Sequence, residues 1–423
     1  MDAAGALMVA GIVLATLLAG GALLLGSPRG RAVSALGAMA LTPVLLMAHI
    51  WSSDQLALAR ERPLLAVAGA AAAIAVVAGA AVGLRRHPAL LAPIAFAVLP
   101  FRVPIEVGDT SASLLVPLYL LIGAGVLAWA VPLLRAERRT GWEAVDEREA
   151  ESGVDDRRAR PGALEWLLVV SVVLYAAQVA YSSDVATALE QVVFFYVPFT
   201  LLAVLLLRLA WNRALVLRCL GVLGVLALVL VGIGFYEYAT RTLLLNPKVI
   251  ASNQVKEYFR VNSLFFDPNI FGRFLVVVML GVAAAVLWTP RRRVALAGVV
   301  VLVVLWGGLV LTLSQSSFVA LLAGLAVLAG LRWGWRRSLP VALACVVAGA
   351  AFVALAPQVL RLDLGSPANL DEATRGRYDL ISGGVELAAR EPLIGLGAGA
   401  FEREYRAEMG TSSDRAVAAS HTI

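Results

Sequence analysis

Charge is what this chain most lacks. Only 15% of its 423 residues are Asp, Glu, Lys or Arg, against about 25% in an average soluble protein. Hydrophobic residues make up 60% and the mean hydropathy is +0.84. Such a chain cannot hide its apolar surface from water, which excludes a soluble globular protein and leaves an integral membrane protein. Lysine is confined to Lys248 and Lys256, so the +6 net charge is carried by arginine. The arginines are dispersed in short loops between apolar runs, which is a positive-inside pattern and excludes a basic stripe that tracks nucleic-acid phosphates. The two cysteines, Cys219 and Cys345, lie inside apolar runs and read as small core hydrophobes, not a disulfide or metal pair. Histidine occurs only at His49, His87 and His421. There is no phosphate loop ending in Gly-Lys-Ser/Thr, no His-Glu-x-x-His zinc helix and no Cys-x-x-Cys pair, so the soluble-enzyme signatures are missing. No metal site and no cofactor is expected.

What is present is a succession of apolar runs. A hydrocarbon core of about 30 Å needs about 20 apolar residues in a helix. That length places spans near Ala4–Gly26, Val33–Trp51, Leu64–Leu84, Pro88–Ile105, Ser113–Leu134 and Leu164–Tyr181. Further spans fall near Ala186–Leu207, Ala214–Phe235, Ile270–Trp288, Val294–Leu313, Phe318–Leu331 and Leu339–Ala356. The fold class is therefore all-α, a polytopic transmembrane bundle of about 12 spans. The fourth run is the weakest, because Pro93, Pro100 and Pro104 interrupt it. The first run is too long for a signal peptide and lacks a small-residue cleavage site.

Loop charges set the orientation. Arg29 and Arg31, Arg85 and Arg86, Arg208 and Arg213, Arg291–Arg293, and Arg332, Arg336 and Arg337 all fall in alternate connections. These are cytoplasmic if the N-terminus starts outside, with Arg60 and Arg62 as the exception. Four segments follow: N-terminal spans in 1–134, a charged cytoplasmic linker in 135–162, core spans in 163–356 with an outer loop at 236–268, and an extracytoplasmic segment at 357–423. The linker interleaves acids and bases in the manner of a solvated surface segment and is assigned no chemistry. The last segment mixes helical patterning with glycine turns and reads as a small helical cap.

Ionisable residues within the spans would mark a transport path. Here they are few: Glu190, Arg218 and Arg273, with Arg102 and Glu237 near span ends. Attention shifts to three polar stretches on the outer side. Tyr258 to Arg273 carries Arg260 ahead of Asp267-Pro268-Asn269, a helix-start signal in which Asn269 can cap the ninth span. Arg260 then stands beside a helix N-terminus, a setting that suits an anion. Leu311 to Phe318 is a hydroxyl-rich turn containing Gln315. The third stretch holds Arg375 and Arg377, the run Pro392 to Phe401 with glycines at 395, 397 and 399, and His421-Thr422.

In this order the three stretches resemble the O-antigen ligase and polymerase superfamily of bacterial envelope glycosyltransferases. Its members show an Arg ahead of a Pro-Asn that opens a span, then a Thr-x-Ser-Arg-Ser turn. A large outer loop follows, with an Arg, a Pro-x-x-Gly-x-Gly-x-Gly-x-Phe run and a His-Asn. The resemblance covers roughly Tyr236 to Ile423, and Pro392 to Phe401 is its most specific piece. Arg260 matches the Arg before Pro-Asn, Arg377 the loop Arg with Arg375 in reserve, and His421 the His. Gln315 stands where the family usually has Arg, and Thr422 where it has Asn. The family also implies more spans than this chain holds.

The resemblance implies a multi-pass protein of the cytoplasmic (inner) membrane with its active face extracytoplasmic. It implies a metal-independent, inverting glycosyltransferase whose donor is a glycan on undecaprenyl pyrophosphate. Arg260 and Arg377 would stabilise the departing lipid pyrophosphate and His421 would serve as general base. Arg375, Asn269, Arg273 and Gln315 would contact substrate. The implied partners are the lipid-linked oligosaccharide, a glycan or lipid-glycan acceptor and membrane lipid, with no nucleic acid. Ligase and polymerase stay equally open. Outside the family, the alternatives are a secondary transporter or lipid-linked oligosaccharide flippase, which would want charged residues along a central path, and a non-catalytic scaffold.

Overall fold

The computed structural model describes residues 3–50, 61–101, 103–107, 110–139, 161–244, 259–340, 343–344, 347 and 377–409. Outside them lie most of the expected twelfth span, residues 140–160 of the linker, Arg102 and Cys345. The described chain is helical, and 10 of its helices are long and apolar enough to cross a membrane. In chain order these elements are α1 (Ala3–Leu24), α2 (Pro28–Ile50), α3 (Pro63–Arg86), α4 (Leu91–Val98), α5 (Val116–Arg139) and α6 (Ala163–Gln178). Next come α7 (Val185–Gln191) and α8 (Val197–Leu207), joined through a π-helical turn at Val192–Tyr196 into one span. The remainder are α9 (Arg213–Thr240), α10 (Pro268–Trp288), α11 (Arg292–Thr312), α12 (Gln315–Trp333), α13 (Arg377–Arg390) and α14 (Phe401–Met409).

The fourth expected span departs from a simple helix. Among its described residues a 3-10 turn at Pro88–Leu90 and α4 supply the only helix, and a two-stranded hairpin follows, β1 (Val103–Val107) and β2 (Thr110–Leu114). Pro100 and Pro104 lack the N–H a helix needs there, and eight residues of α-helix rise only about 12 Å. The chain still changes ends. Arg85 and Pro88, at the end of α3, line one cavity with Trp129 and Leu133 near the end of α5 and Leu205 and Arg208 at the end of α8. Helices α3 and α5 thus finish at the same end, and the segment between them must return the chain to the other.

The chain forms two compact units: Met1–Leu91 with Pro104–Leu209 and Leu362–Ile423, and Ala92–Val103 with Ala210–Arg361. In the first, small residues bring α1 and α2 together. Ala15, Ala19 and Ala22 of α1 and Ala32, Ala35 and Ala38 of α2 are wholly buried. Close backbone approach of this kind drives association where lipid removes the hydrophobic incentive. Large apolar side chains such as Leu64, Val67, Ile74 and Val76 of α3 stay exposed, the surface a bilayer would cover.

The second unit is built on α10, which packs against α9, α11 and α12. Leu230 and Val231 of α9, Phe271 and Leu275 of α10, and Leu305 and Leu309 of α11 form its buried centre. Helix α9 has 28 residues, about 42 Å, and so outruns a hydrocarbon core by about two turns. It continues past the expected end at Phe235 because no breaker occurs before Arg241, which ends it in the left-handed region at φ 55°.

Candidate anion site and the docked cap

In the second unit, the extra turns of α9 carry Glu237, which is wholly buried. Its Oε2 accepts the Ser263 N–H at 2.8 Å and its Oε1 the Leu244 N–H at 3.2 Å. Ser263 lies at φ 52°, a left-handed conformation costing a side-chain-bearing residue about 1–2 kcal/mol. Its hydroxyl donates to the Leu230 carbonyl at 2.8 Å, so two contacts offset that strain. Asn262 Nδ2 donates to the Phe265 carbonyl at 2.7 Å, and the Phe265 ring stacks on Phe271 with centroids 5.5 Å apart. The stretch from Val261 to Phe265 is thereby clamped onto α9 and α10.

That clamp fixes Arg260. The adjacent Val261 N–H donates to the Leu311 carbonyl at 3.2 Å. Arg260 Nε donates to the Thr312 carbonyl at 2.9 Å, and Nη2 to Asn269 Oδ1 at 3.1 Å. The guanidinium therefore bridges the last turn of α11, whose dipole end is negative and favours a cation, and the first turn of α10. Arg273 follows Asn269 by four residues on α10, which puts both on one face of that helix.

The cap of α10 is Asp267, not Asn269. Asp267 Oδ1 accepts the Asn269 N–H and its carbonyl accepts those of Ile270 and Phe271, both at 3.1 Å. Proline occupies N1 and moves the cap to the residue before it. With those N–H groups engaged by an aspartate, the capacity to attract an anion rests on the arginine side chains and not on the helix terminus. Asn269 is freed to orient Arg260 instead.

Helices α11 and α12 are joined by Leu313, at φ 49°, and Ser314. Ser314 and Ser317 are buried, with hydroxyls 2.8 Å apart. A Cβ added to Gly272 would lie 2.6 Å from Ser317 Oγ, so glycine is what lets α10 approach this turn. The serines are therefore packing groups. Gln315 is exposed on the first turn of α12. The structure thus brings Arg260 and Asn269 into direct contact, sets Arg273 on the same helix face as Asn269, and places Gln315 immediately after the Leu313–Ser314 connection. Sequence reasoning marks Glu237 only as an ionisable residue near a span end and gives it no role in the site. Its signal was an acid inside an apolar run.

The first unit holds the cap. Arg377 begins α13, and nothing further is described of its side chain; Arg375 and His421 lie outside the described residues. Helices α13 and α14 pack through Leu387 and Tyr405, with Leu396 and Phe401 against them. The glycine run between them docks on the connection from α6 to α7. Ser182 Oγ donates to the Ala398 carbonyl at 2.6 Å, Tyr181 OH to the Ile394 carbonyl at 2.5 Å, and Arg403 to the Ser183 carbonyl. Gly395, Gly397 and Gly399 all have positive φ. A Cβ on Gly397 would lie 2.5 Å from Ser182 Cα, and one on Gly399 2.7 Å from the Ala188 nitrogen. Gly397 and Gly399 therefore seat the cap on the membrane helices.

This makes Gly397→Ala costly. Backbone collision and a φ of 99° together are expected to cost about 2–5 kcal/mol. At Gly395, φ is 73° but nothing lies within 4 Å, so alanine there should cost only about 1 kcal/mol. Limited proteolysis of the full protein, read as cleavage within 377–409, should rise sharply for Gly397→Ala and little for Gly395→Ala.

Residues 300–422 match the family model described as O-Antigen ligase. The match takes in Gln315, Arg375, Arg377, the glycine run and His421, whereas Arg260, Asn269 and Arg273 precede it. No curated protein and no solved structure matches the chain.

Proposed function

We propose, from the O-antigen ligase domain that this multi-pass membrane protein carries over residues 300–422, that it transfers glycan from an undecaprenyl-pyrophosphate donor to a hydroxyl acceptor. The reaction would occur on the outer face of the cytoplasmic membrane. The observation that carries the chemistry is Arg260, held by Thr312 and Asn269 where two helix termini and the α11–α12 turn meet.

The acceptor oxygen attacks the anomeric carbon as the bond from that carbon to the pyrophosphate oxygen breaks. The electron pair leaves with the lipid pyrophosphate, and attack from the opposite face inverts the centre. Arg260 and Arg377 bind the phosphate oxygens and stabilise the charge that grows on them; a fixed guanidinium does this at no reorganisation cost. His421 takes the acceptor proton as general base. Arg273, Asn269, Gln315 and Arg375 complete the contacts to donor and acceptor. This set of residues supplies acid–base and electrostatic catalysis without calling on a metal.

The test is transfer in cells that lack the chromosomal copy. His421→Ala should reduce product by about 10²–10⁴-fold, the usual worth of a general base, and Arg377→Ala by about 10²-fold or more. Both are compared at equal membrane abundance. Full transfer by both variants would overturn the assignment.

A further inference from the structure

The cavity at the shared ends of α3, α5 and α8 belongs to none of the chemistry above. It has a volume of about 410 Å³, within the range of small-molecule sites. Its walls are apolar, including Leu84, Leu91 and Leu205, and two cations open into it, Arg85 and Arg208. The Arg208 guanidinium lies over the Trp129 ring, 4.1 Å from its centroid. Partial loss of water and the like charge of Arg31 pull the Arg208 pKa down to about 10, so it stays cationic at neutral pH. Among the described residues no carboxylate forms an ion pair with Arg85 or Arg208.

A simple anion would satisfy the arginines and leave the leucine walls unused, and a neutral lipid would do the reverse. One amphipathic class fits both. Basic pockets between membrane helices hold anionic head groups, and tryptophan sits at head-group depth. The helix ends concerned are those whose loops carry arginine. We propose that this cavity is a binding site for an anionic glycerophospholipid of the adjoining leaflet, its phosphate at Arg85 and Arg208 and an acyl chain along Leu91 and Leu205.

The test uses the full-length protein, stripped of lipid in detergent and titrated separately with phosphatidylglycerol, phosphatidylcholine and inorganic phosphate. The readouts are thermal midpoint and the number of lipids retained in native mass spectra. Phosphatidylglycerol should raise the midpoint and leave one retained lipid, while phosphatidylcholine and phosphate do neither. Arg85→Gln/Arg208→Gln should weaken phosphatidylglycerol binding at least tenfold, and Arg208→Lys, which keeps the charge, should hold most of it. Equal responses to phosphatidylglycerol and phosphatidylcholine would overturn the proposal. So would protection by phosphate alone, or wild-type phosphatidylglycerol binding by the double variant; in that last case the acid-rich residues 140–160 of this chain are the next occupant to examine.

Discussion

Arg260→Ala should lower glycan transfer by at least about 100-fold, the usual loss when one fixed donor to developing negative charge is removed. The size follows from how the side chain is held. Its Nε and Nη2 bonds to Thr312 and Asn269 orient the guanidinium before any donor arrives. Arg260→Lys keeps a charge but cannot make two divergent N–H bonds from a planar fork, so it should recover only part of the activity. Because Arg260 also ties α10 to α11, each variant needs its thermal midpoint measured beside its turnover. A fall in turnover much larger than the fall in folded fraction is the expected result. An alanine variant with more than half the normal rate would remove Arg260 from the chemistry.

Glu237→Ala should be the most destabilising single change in the second unit, by about 3 kcal/mol or more. It deletes the acceptor for the Ser263 and Leu244 N–H groups, the first of them buried, and each buried donor left bare costs about 1–3 kcal/mol. The consequence reaches the site, because Ser263 holds its left-handed conformation through that carboxylate and the Leu230 carbonyl. Once it relaxes, Val261 and Arg260 lose their register against Leu311 and Thr312. Glu237→Gln retains one carbonyl oxygen and should cost about half as much. Hydrogen exchange at the amides of 261, 263 and 265 reads this directly, and unchanged protection in Glu237→Ala would show that the loop is held by other contacts.

The membrane helices were legible because an apolar run of about 20 residues has few other fates. Ten such helices stand where the runs placed them. The exceptions have physical reasons. The fourth run is apolar enough, but its prolines cannot donate within a helix, and hydropathy does not register that. The end of α9 ran past Phe235 because polarity begins at Glu237 while helix geometry persists to Thr240. Asp267 and Asn269 are both good caps, and only Pro268 between them decides which one serves.

The site was legible as a set of residue types and not as a set of contacts. Arg260 stood out by its place before Pro268-Asn269, yet its partner Thr312 is a backbone carbonyl more than fifty residues away, invisible in any pattern of side chains. The same holds for Glu237, whose partners are N–H groups. The glycines at 395, 397 and 399 announced turns, but the purpose of Gly397 and Gly399 lies in what approaches them, the backbone of Ser182 and of Ala188.

The account is tested most directly by transfer in vitro. Purified full-length protein is supplied with undecaprenyl-pyrophosphate glycan and candidate acceptors in the presence of EDTA. The prediction is glycosylated acceptor with an inverted anomeric centre, formed without metal and lost on Arg260→Ala and Arg377→Ala. The identity of the acceptor then separates ligation from polymerisation. No product with any acceptor, together with movement of the lipid-linked donor across a vesicle bilayer, would contradict the transferase reading and make the protein a flippase.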